Sequence, residues 1–594
     1  MDFAAGEDQQ QQPISHILSH PIILSDQILH TINDSKSYKL ECIDLKKLIH
    51  HLSQMLRSFV RLTTATPSFY DRPVRRIFSD ITTTLTRTLT LLRKCRRRTI
   101  FLRLLTIVTT ADFKKLSTLL DASIGDMKWL LSLYDARTID NNTSGVVLSL
   151  PPIASNDPVI AWVWSYITSL YLTPLNFKIE VANELCSLAT SNDRTKKMIV
   201  EEGGILPLLK LLKEDILEAQ IAAATTLFHL ANDQVRARMI TSEVGVPIIV
   251  QCLHKSSIRV QIEVSKLIGR MAENDEVSQE AFARENVIRP LVTLLSFDTV
   301  EDQYEKRSID SVFKMSTASS ATTMWSIKRN ERENESSELK LELKVSCARA
   351  LWMLARGNLA NCKILTDTKG LLTLTKLIET ETGELQTNCL MNVMEIAAAA
   401  ESNNDLRRAA FRTNSPAAKA VVDQLLRLIH ECEIAGIKIP AIRSIGSLAR
   451  TFPARETRVI GPLVKQLSHQ HQHPDVVLES VIALGKFASP DNYLCKEHSK
   501  TIIEFDGVIP LMRLLRGNDR TQHDALVLLC YLAMHAGNNE ALMQARVLTA
   551  LEGADKSIVG QHSQLRQLVV EAIHQLNMYH AGVVISSQKL SFSP

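Results

Sequence analysis

Three groups of side chains in this 594-residue chain have types and spacings that could do chemistry. His469, His471 and His473 alternate in SHQHQHPD, a pattern that could collect zinc if a fourth ligand came near. Loops between helices are commonly this polar, so we assign no metal site there. Arg93, Lys94, Arg96, Arg97, Arg98 and Arg103 crowd one segment, interleaved with Leu91, Leu92, Ile100, Phe101 and Leu102. Cations beside apolar side chains can hold a protein on an anionic lipid surface, at about 1 kcal/mol per cation. The same cluster also reads as a solvated basic helix end whose leucines belong to a core. The third group is His229, Lys266, Arg270, Arg349, Arg443 and Lys486, which fall at equivalent steps of a repeat. A face carrying such cations suits an acidic or phosphorylated peptide. Reaction chemistry is harder to find. There is no GxxxxGK[ST] loop, no GxGxxG after a strand, no GxSxG and no HExxH. We therefore expect no catalytic residue, no cofactor and no small-molecule substrate.

The elements that must position these residues are set by a repeat. Eight apolar segments close on a small-residue step, at Ala189, Ala231, Ala272, Ala355, Ala397, Ala449, Ala488 and Ala533. Their spacings are 42, 41, 83, 42, 52, 39 and 45 residues, and the 83 is almost two periods. A fixed period near 42 means stacked helical units, none able to bury its apolar face alone. A second signature precedes the closing helix, as in EEGGILPLLKLL from Glu201 and EFDGVIPLMRLL from Glu504. Gly or Asn ends one short helix there, and Pro207, Pro247, Pro462 or Pro510 stands in the first turn of the next. Each unit is thus a short helix, a corner, a second helix, a loop and a longer third helix. That three-helix unit resembles the armadillo repeat.

The fold expected is all-α: an N-terminal helical bundle followed by a right-handed armadillo-repeat superhelical solenoid. The boundaries read as a bundle over 13–134, a linker over 135–157, a solenoid over 158–582 and a tail over 583–594. Pro290 lies 65 residues before its alanine step, so a polar, flexible loop is expected at about 298–338. Its Ser/Thr density admits phosphorylation, although a passive loop is the simpler reading. In the bundle, Leu45, Leu48, Leu52, Met55 and Phe59 form one stripe, and Ile77, Ile81, Leu85, Leu89 and Leu92 a second. Phe113, Leu116, Leu120, Ile124, Met127 and Leu131 mark a third. Net charge is only +4, and no groove-reading motif accompanies the basic cluster, so nucleic acid is not expected as a partner. Ten cysteines without a CxxC pair point to core thiols in a reducing compartment. The start shows no apolar signal core, and Pro158 to Leu172 is too short to span a bilayer. A cytoplasmic or peripheral plasma-membrane setting is expected, with the nucleus left open.

HPIILSDQ from His20, YDRPVRRI from Tyr70, LRKCR from Leu92 and SIGDMKWLL from Ser123 resemble the N-terminal domain of the plant armadillo-repeat-only family. LPPIASNDPVI from Leu150 is also similar to that family. The resemblance implies a non-enzymatic scaffold, acting with Rho-type GTPase signalling in polarised growth and partly at the plasma membrane. Protein partners, among them GTPase regulators, and an anionic phospholipid surface are implied with it. The block is similar as well to the domain that precedes the U-box of plant armadillo ubiquitin ligases, but Cys-Pro-Ile is absent. That leaves an accessory role in ubiquitin ligation as the alternative. Importin-α and β-catenin relatives place Asn two residues before the closing alanine. Here that row is Ser187, His229, Arg270, Met353, Glu395, Ser447, Lys486 and Tyr531, which disfavours an importin-like transport role. Trp352, three residues before its alanine, is expected in the core.

Overall fold

The computed structural model describes residues 13–34, 38–65, 70–96, 108–134, 149–273, 275–297, 335–412, 415–468, 473–516, 520–554 and 563–590. Among them every regular element is a helix. The chain divides into two compact units, Met1–Leu267 and Ile268–Pro594.

The first unit opens with four helices: α1 (Ile14–Asn33), α2 (Lys39–Ala65), α3 (Arg72–Arg96) and α4 (Thr110–Tyr134). The stripes on α3 and α4 bury largely as their spacing predicts, although Leu131 is half-buried while Leu130 is fully enclosed. On α2 the buried row is Leu45, Ile49, Leu52, Leu56 and Phe59, and Leu48 is only half-buried. A 3.6-residue helix lets the row drift by one position where a strict 3-4 step does not. Arg57 grips both oxygens of Asp26 at 2.8 Å, pinning α2 to α1 on the outside.

This bundle is seated on the next two elements of the chain. Asp126 of α4 accepts the Ile153 N–H at 2.8 Å, fixing the 3₁₀ turn Pro152–Ala154, and Gly125 leaves room for the Pro152 ring. Helix α5 (Pro158–Leu172) carries Trp164, whose indole N–H donates to the Glu202 carboxylate at 2.8 Å. Tyr70 donates to the Glu202 backbone carbonyl at 2.8 Å, and Tyr134 donates to the carbonyl of Tyr70. Trp129 packs on Trp164 at 6.0 Å, and Tyr70 stacks on Tyr171 at 6.0 Å. Burial pushes both Tyr70 and Tyr134 above the ordinary phenol range, so each remains a donor.

The repeats are helix triplets. In the first unit α6 (Leu175–Ser191) is a third helix. After it come α7 (Asp193–Glu201), α8 (Ile205–Leu212) and α9 (Leu217–Leu230), then α10 (Gln234–Ser242) and α11 (Gly245–Lys255). Helix α12 (Ile258–Ala272) crosses the unit boundary. The second unit continues with α13 (Glu276–Arg284), α14 (Ile288–Leu295), α15 (Ser337–Ala355), α16 (Leu359–Asp367), α17 (Gly370–Thr380) and α18 (Gly383–Ser402). Then come α19 (Asn404–Ala410), α20 (Pro416–Glu431), α21 (Ala435–Ser447), α22 (Ile460–Ser468) and α23 (Pro474–Ala488). The last are α24 (Cys495–Glu504), α25 (Val508–Leu514), α26 (Thr521–Ala536), α27 (Glu540–Gln544), α28 (Val547–Ala554) and α29 (Ser563–Leu590). The inserted segment lies outside the described residues as far as 334, and so does the linker from 135 to 148.

Two local devices repeat. Most short first helices start on an Asx cap: Asn192, Asp233, Asp275, Asn358, Asn403 and Asn539 each accept a backbone N–H from the helix they open, whereas Cys495–Glu504 follows Leu494 without one. At the corner one residue takes positive φ. Gly203 fills that position at +83°, but Val244, Asn286, Lys369 and Asp506 fill it at +55° to +61°. The residue after it sits tight against the preceding helix, and a Cβ on Gly507 would come within 2.8 Å of the Ile502 carbonyl.

Third helices stack on third helices: α6 on α9 in the first unit, and α15, α18, α21, α23, α26 and α29 in succession in the second. Small residues set the approach. A Cβ on Gly446 of α21 would meet Ala483 Cα and Cβ of α23 at 2.9 Å. Buried side chains stitch the same interfaces, with Asn392 Nδ2 reaching the Ala348 carbonyl at 2.8 Å and Thr226 Oγ1 reaching that of Ala182 at 3.0 Å. Seven of the ten cysteines are buried, as expected of core thiols, and burial pushes the Cys362 and Cys530 thiols up to about 12.

These local environments have two measurable consequences. A β-branched residue at φ +60° costs about 1 kcal/mol, so Val244→Gly should raise the melting temperature; an unchanged or lower value would show that the corner carries no strain. Burial pushes the Asp126 carboxyl up to about 6, against the opposing hydrogen bond from Ile153. The folded state then holds a proton that the unfolded chain releases near pH 4, so this group's contribution falls as pH rises from about 4 to about 6. Asp126→Asn, which keeps the acceptor and cannot ionise, should flatten that part of the stability profile. Parallel thermal-melt profiles for the two proteins would refute it.

Candidate functional site

The open face of the third helices, uncovered by another element among the described residues, is the candidate surface for a ligand. Two residues before each alanine step stands the row read from the sequence, and six residues before it a second row of Asn183, Thr225, Lys266, Arg349, Met391, Arg443, Ile482 and Val527. The structure shows them to be less regular than their spacing. Met353 and Ser447 are buried rather than open, because the close packing of neighbouring helices covers them. Asn392, next to the row position Met391, is buried and spends its donors on the helix backbone, whereas Asn183, six residues before Ala189, is exposed.

In the first unit, His229 of α9 is half-buried with its ring edge-on to Phe228 at 5.3 Å. Lys266 of α12 is held by Glu263, one turn back on the same helix, at 2.8 Å.

In the second unit the cations are also answered. Arg270 meets Glu273 at 3.0 Å. Arg443 of α21 binds Glu479 of α23, and that hydrogen bond holds its guanidinium above the ordinary range. Lys486 of α23 reaches Glu401 at the end of α18 at 2.6 Å, with Ser447 Oγ at 3.4 Å. The sequence reading of a patchily cationic groove is therefore corrected. Four of the five cations in the two rows have an acid within the chain, which removes most of the field they would present to a ligand.

Arg349 is the exception. It stands exposed on α15, and among the described residues it has no carboxylate partner. Three residues on, Trp352 is half-buried rather than enclosed in the core, and its indole N–H has no acceptor. Four further, Arg356 is exposed and likewise unpaired among the described residues. Steps of three and four place all three on one helix face. The end of this helix is firmly held. Gln279 donates to the carbonyls of Met353 at 2.9 Å and Arg356 at 3.2 Å, and Asn361 donates to that of Leu354 at 2.8 Å. Beside it, Met391 and Met394 on α18 are half-buried, and Glu395 accepts the Gly357 N–H at 3.3 Å. Trp352 and Arg356 escape the sequence rows because those rows take two offsets from the alanine and these residues lie at two others.

Of the basic cluster, Arg93 and Lys94 are exposed on α3 while Leu92 and Cys95 between and beside them are buried in the bundle. Arg96 ends the helix, and Arg97, Arg98 and Arg103 lie outside the described residues. His469 and His471 lie outside them as well; His473 is exposed and caps α23 through the Asp475 N–H at 3.3 Å. No described helix is long and apolar enough to cross a membrane.

Comparison with known proteins agrees with this architecture. Residues 15–135 match a domain of unknown function, DUF7792, and residues 192–232 match the armadillo/beta-catenin-like repeat. No curated protein sequence matches the chain. Among solved structures, an engineered protein from a structural genomics consortium matches with a TM-score of 0.56 at 21% identity, over 80% of this chain and 97% of its own. A structure from work on a phosphorylation switch between cadherin and beta-catenin matches with a TM-score of 0.50 at 14% identity, over 77% of this chain and 78% of its own. A designed armadillo repeat protein matches over 48% of this chain and 98% of its own, with a TM-score of 0.37 and 18% identity. At these identities the likeness to the first two structures is one of fold: the chain has an armadillo-like helical solenoid, with a segment that matches DUF7792 ahead of one that matches the armadillo repeat.

Proposed function

We propose that the chain is a protein-binding scaffold whose ligand contacts centre on Arg349 and Trp352 of α15 and on Arg356, the residue that ends it. The observation that carries this reading is the pair of exposed guanidiniums, unpaired among the described residues, that flank the half-buried indole of Trp352. Such a group favours a ligand that supplies carboxylates to the guanidiniums and apolar contact to the half-buried indole. Seven residues of helix separate the two charges by roughly 10 Å, about three residues of extended chain. The matching segment has two acidic residues about three apart, with an apolar side chain for Met391 and Met394 between them. His229 and Lys266 in the first unit, and Arg270, Arg443 and Lys486 in the second, are supporting residues, and any acidic ligand there must compete with the carboxylates that already hold the cations.

Rho-type GTPase signalling in polarised growth is the setting that the N-terminal resemblance supports, with GTPase regulators as partners. Contact with anionic phospholipid through Arg93, Lys94, Arg96, Arg97, Arg98 and Arg103 supports a cytoplasmic protein partly held at the plasma membrane. An accessory role in ubiquitin ligation is the alternative, and E2 or E3 components among captured partners would favour it.

Trp352→Ala and Arg349→Glu, each in the full chain, should reduce partner recovery in proximity labelling by about tenfold or more, the loss expected of a hot-spot residue. Recovery equal to wild type would sink the assignment of this face. In liposome flotation with phosphatidylserine vesicles, a variant with the six cluster cations changed to Gln should stay at the bottom of the gradient. If it floats with the wild type, the membrane contact is lost from the proposal.

A further inference from the structure

Helix α24 (Cys495–Glu504) lacks the Asx cap that most other short first helices carry, and a buried ring seats it instead. His498, one turn into the helix and only 2% exposed, packs edge-on against Phe487 of α23 at 5.1 Å. Its Nδ1 faces Asn492 Nδ2 at 3.3 Å, in the turn that joins α23 to α24. Its Nε2 is buried without a hydrogen bond of its own. Ser499, the next residue, is wholly buried, and its Oγ lies 3.4 Å from Nδ1 of His535 on α26.

The neighbouring amide fixes which ring nitrogen carries the proton. Asn492 accepts the Leu494 N–H on Oδ1 at 3.1 Å and donates from Nδ2 to the Ala449 carbonyl at 3.4 Å. Turned over, its oxygen would face a carbonyl and its NH₂ an N–H. The amide therefore presents N–H to His498, and Nδ1 is the bare, accepting nitrogen. A second proton would land on Nδ1 and set two buried donors head to head. Burial holds the His498 pKa below the ordinary histidine range, against smaller opposite effects of the Phe487 carbonyl and Glu497. Among the described residues no carboxylate forms an ion pair with it. Lys496, Glu497, Lys500 and Glu504 are exposed on α24, and Asp491 is held by Arg450 at 3.4 Å. On α26, burial raises the Tyr531 phenol and the Cys530 thiol, so both stay neutral, and burial with Lys496 lowers His535. Helix α23 brings Lys486, already bound to Glu401, and α22 brings Lys465, which is exposed.

We propose that neutral His498 is a pH-sensitive latch, whose protonation unseats α24 from α23 and α26 and opens the second unit at that repeat. Released, the ring titrates near its ordinary value of about 6.5; seated, it resists the proton. The latch is therefore fully closed above about pH 6.5 and weakens as pH falls below it. A helix of 10 residues offers little area, so it can open while the long third helices stay packed. The α15 face plays no part in it.

Hydrogen exchange of the full chain, corrected for the intrinsic effect of pH on exchange, reads the latch directly. Between about pH 7.5 and about pH 5.5, protection of the α24 amides should drop about tenfold or more, the equilibrium cost of a buried donor left without an acceptor. Helix α13, a first helix of the same unit without histidine, should keep its protection. His498→Phe keeps a ring against Phe487 and cannot take a proton, so its α24 should be equally protected at both pH values. Should that variant not fold, nitrogen NMR of histidine-labelled wild type decides. The neutral His498 ring should carry its proton on Nε2 and take up a second only as α24 protection is lost. Unchanged α24 protection at the lower pH, an equal loss in α13 or in His498→Phe, or a neutral ring protonated on Nδ1 overturns the proposal.

Discussion

The approach of one third helix to the next governs most of this molecule. An armadillo unit cannot bury its apolar face by itself, so the faces must meet, and they meet closely because small residues stand where the backbones cross. Gly446 against Ala483 shows the limit: a single methyl there would collide with the neighbouring backbone. Such closeness brings polar groups within reach as well. Asn392 and Thr226 each cross to a carbonyl of the preceding third helix and hold the register by hydrogen bonds buried from water. The same constraint decides which positions stay open. Met353 and Ser447 are covered, whereas Arg349 and Trp352 keep an exposed edge.

Charge on the open face is a consequence of that geometry. Adjacent third helices place the acid of one opposite the base of another, as with Glu479 and Arg443, and Lys486 even reaches past α21 to Glu401 on α18. Exposed pairs of this kind contribute little to stability, typically below about 1 kcal/mol. Their larger effect is on recognition, because a paired cation offers a ligand far less attraction than an open one. At α15, by contrast, Arg349 has no carboxylate partner among the described residues.

The N-terminal bundle is built into the first unit. Tyr70, Tyr134, Trp129, Trp164 and Glu202 form one continuous joint of rings and hydrogen bonds between bundle and first repeat. Aromatic side chains suit such a joint because they bury large areas and still satisfy a polar tip. The DUF7792 segment thus covers the apolar flank of α5, the task a terminal cap performs in repeat proteins.

Periodicity was enough to determine the all-α class, the 42-residue unit, its glycine-proline corners and the stripes of α3 and α4. Those features are local: a helix declares its buried face within a few turns, and a corner within four residues. The pairing of side chains was not legible. Glu401 and Lys486 are 85 residues apart, and His20 and Arg75 share a cavity across an entire helix. Nor did offsets from an alanine step reveal that Trp352 opens outward while Met353 beside it closes in, since one residue is a 100° turn and the neighbouring helix decides which side is covered. Sequence alone determined the helical class, the repeat and the buried stripes of single helices. Only tertiary packing decided which charges are cancelled and which remain open, because that depends on distances between helices that no local pattern records.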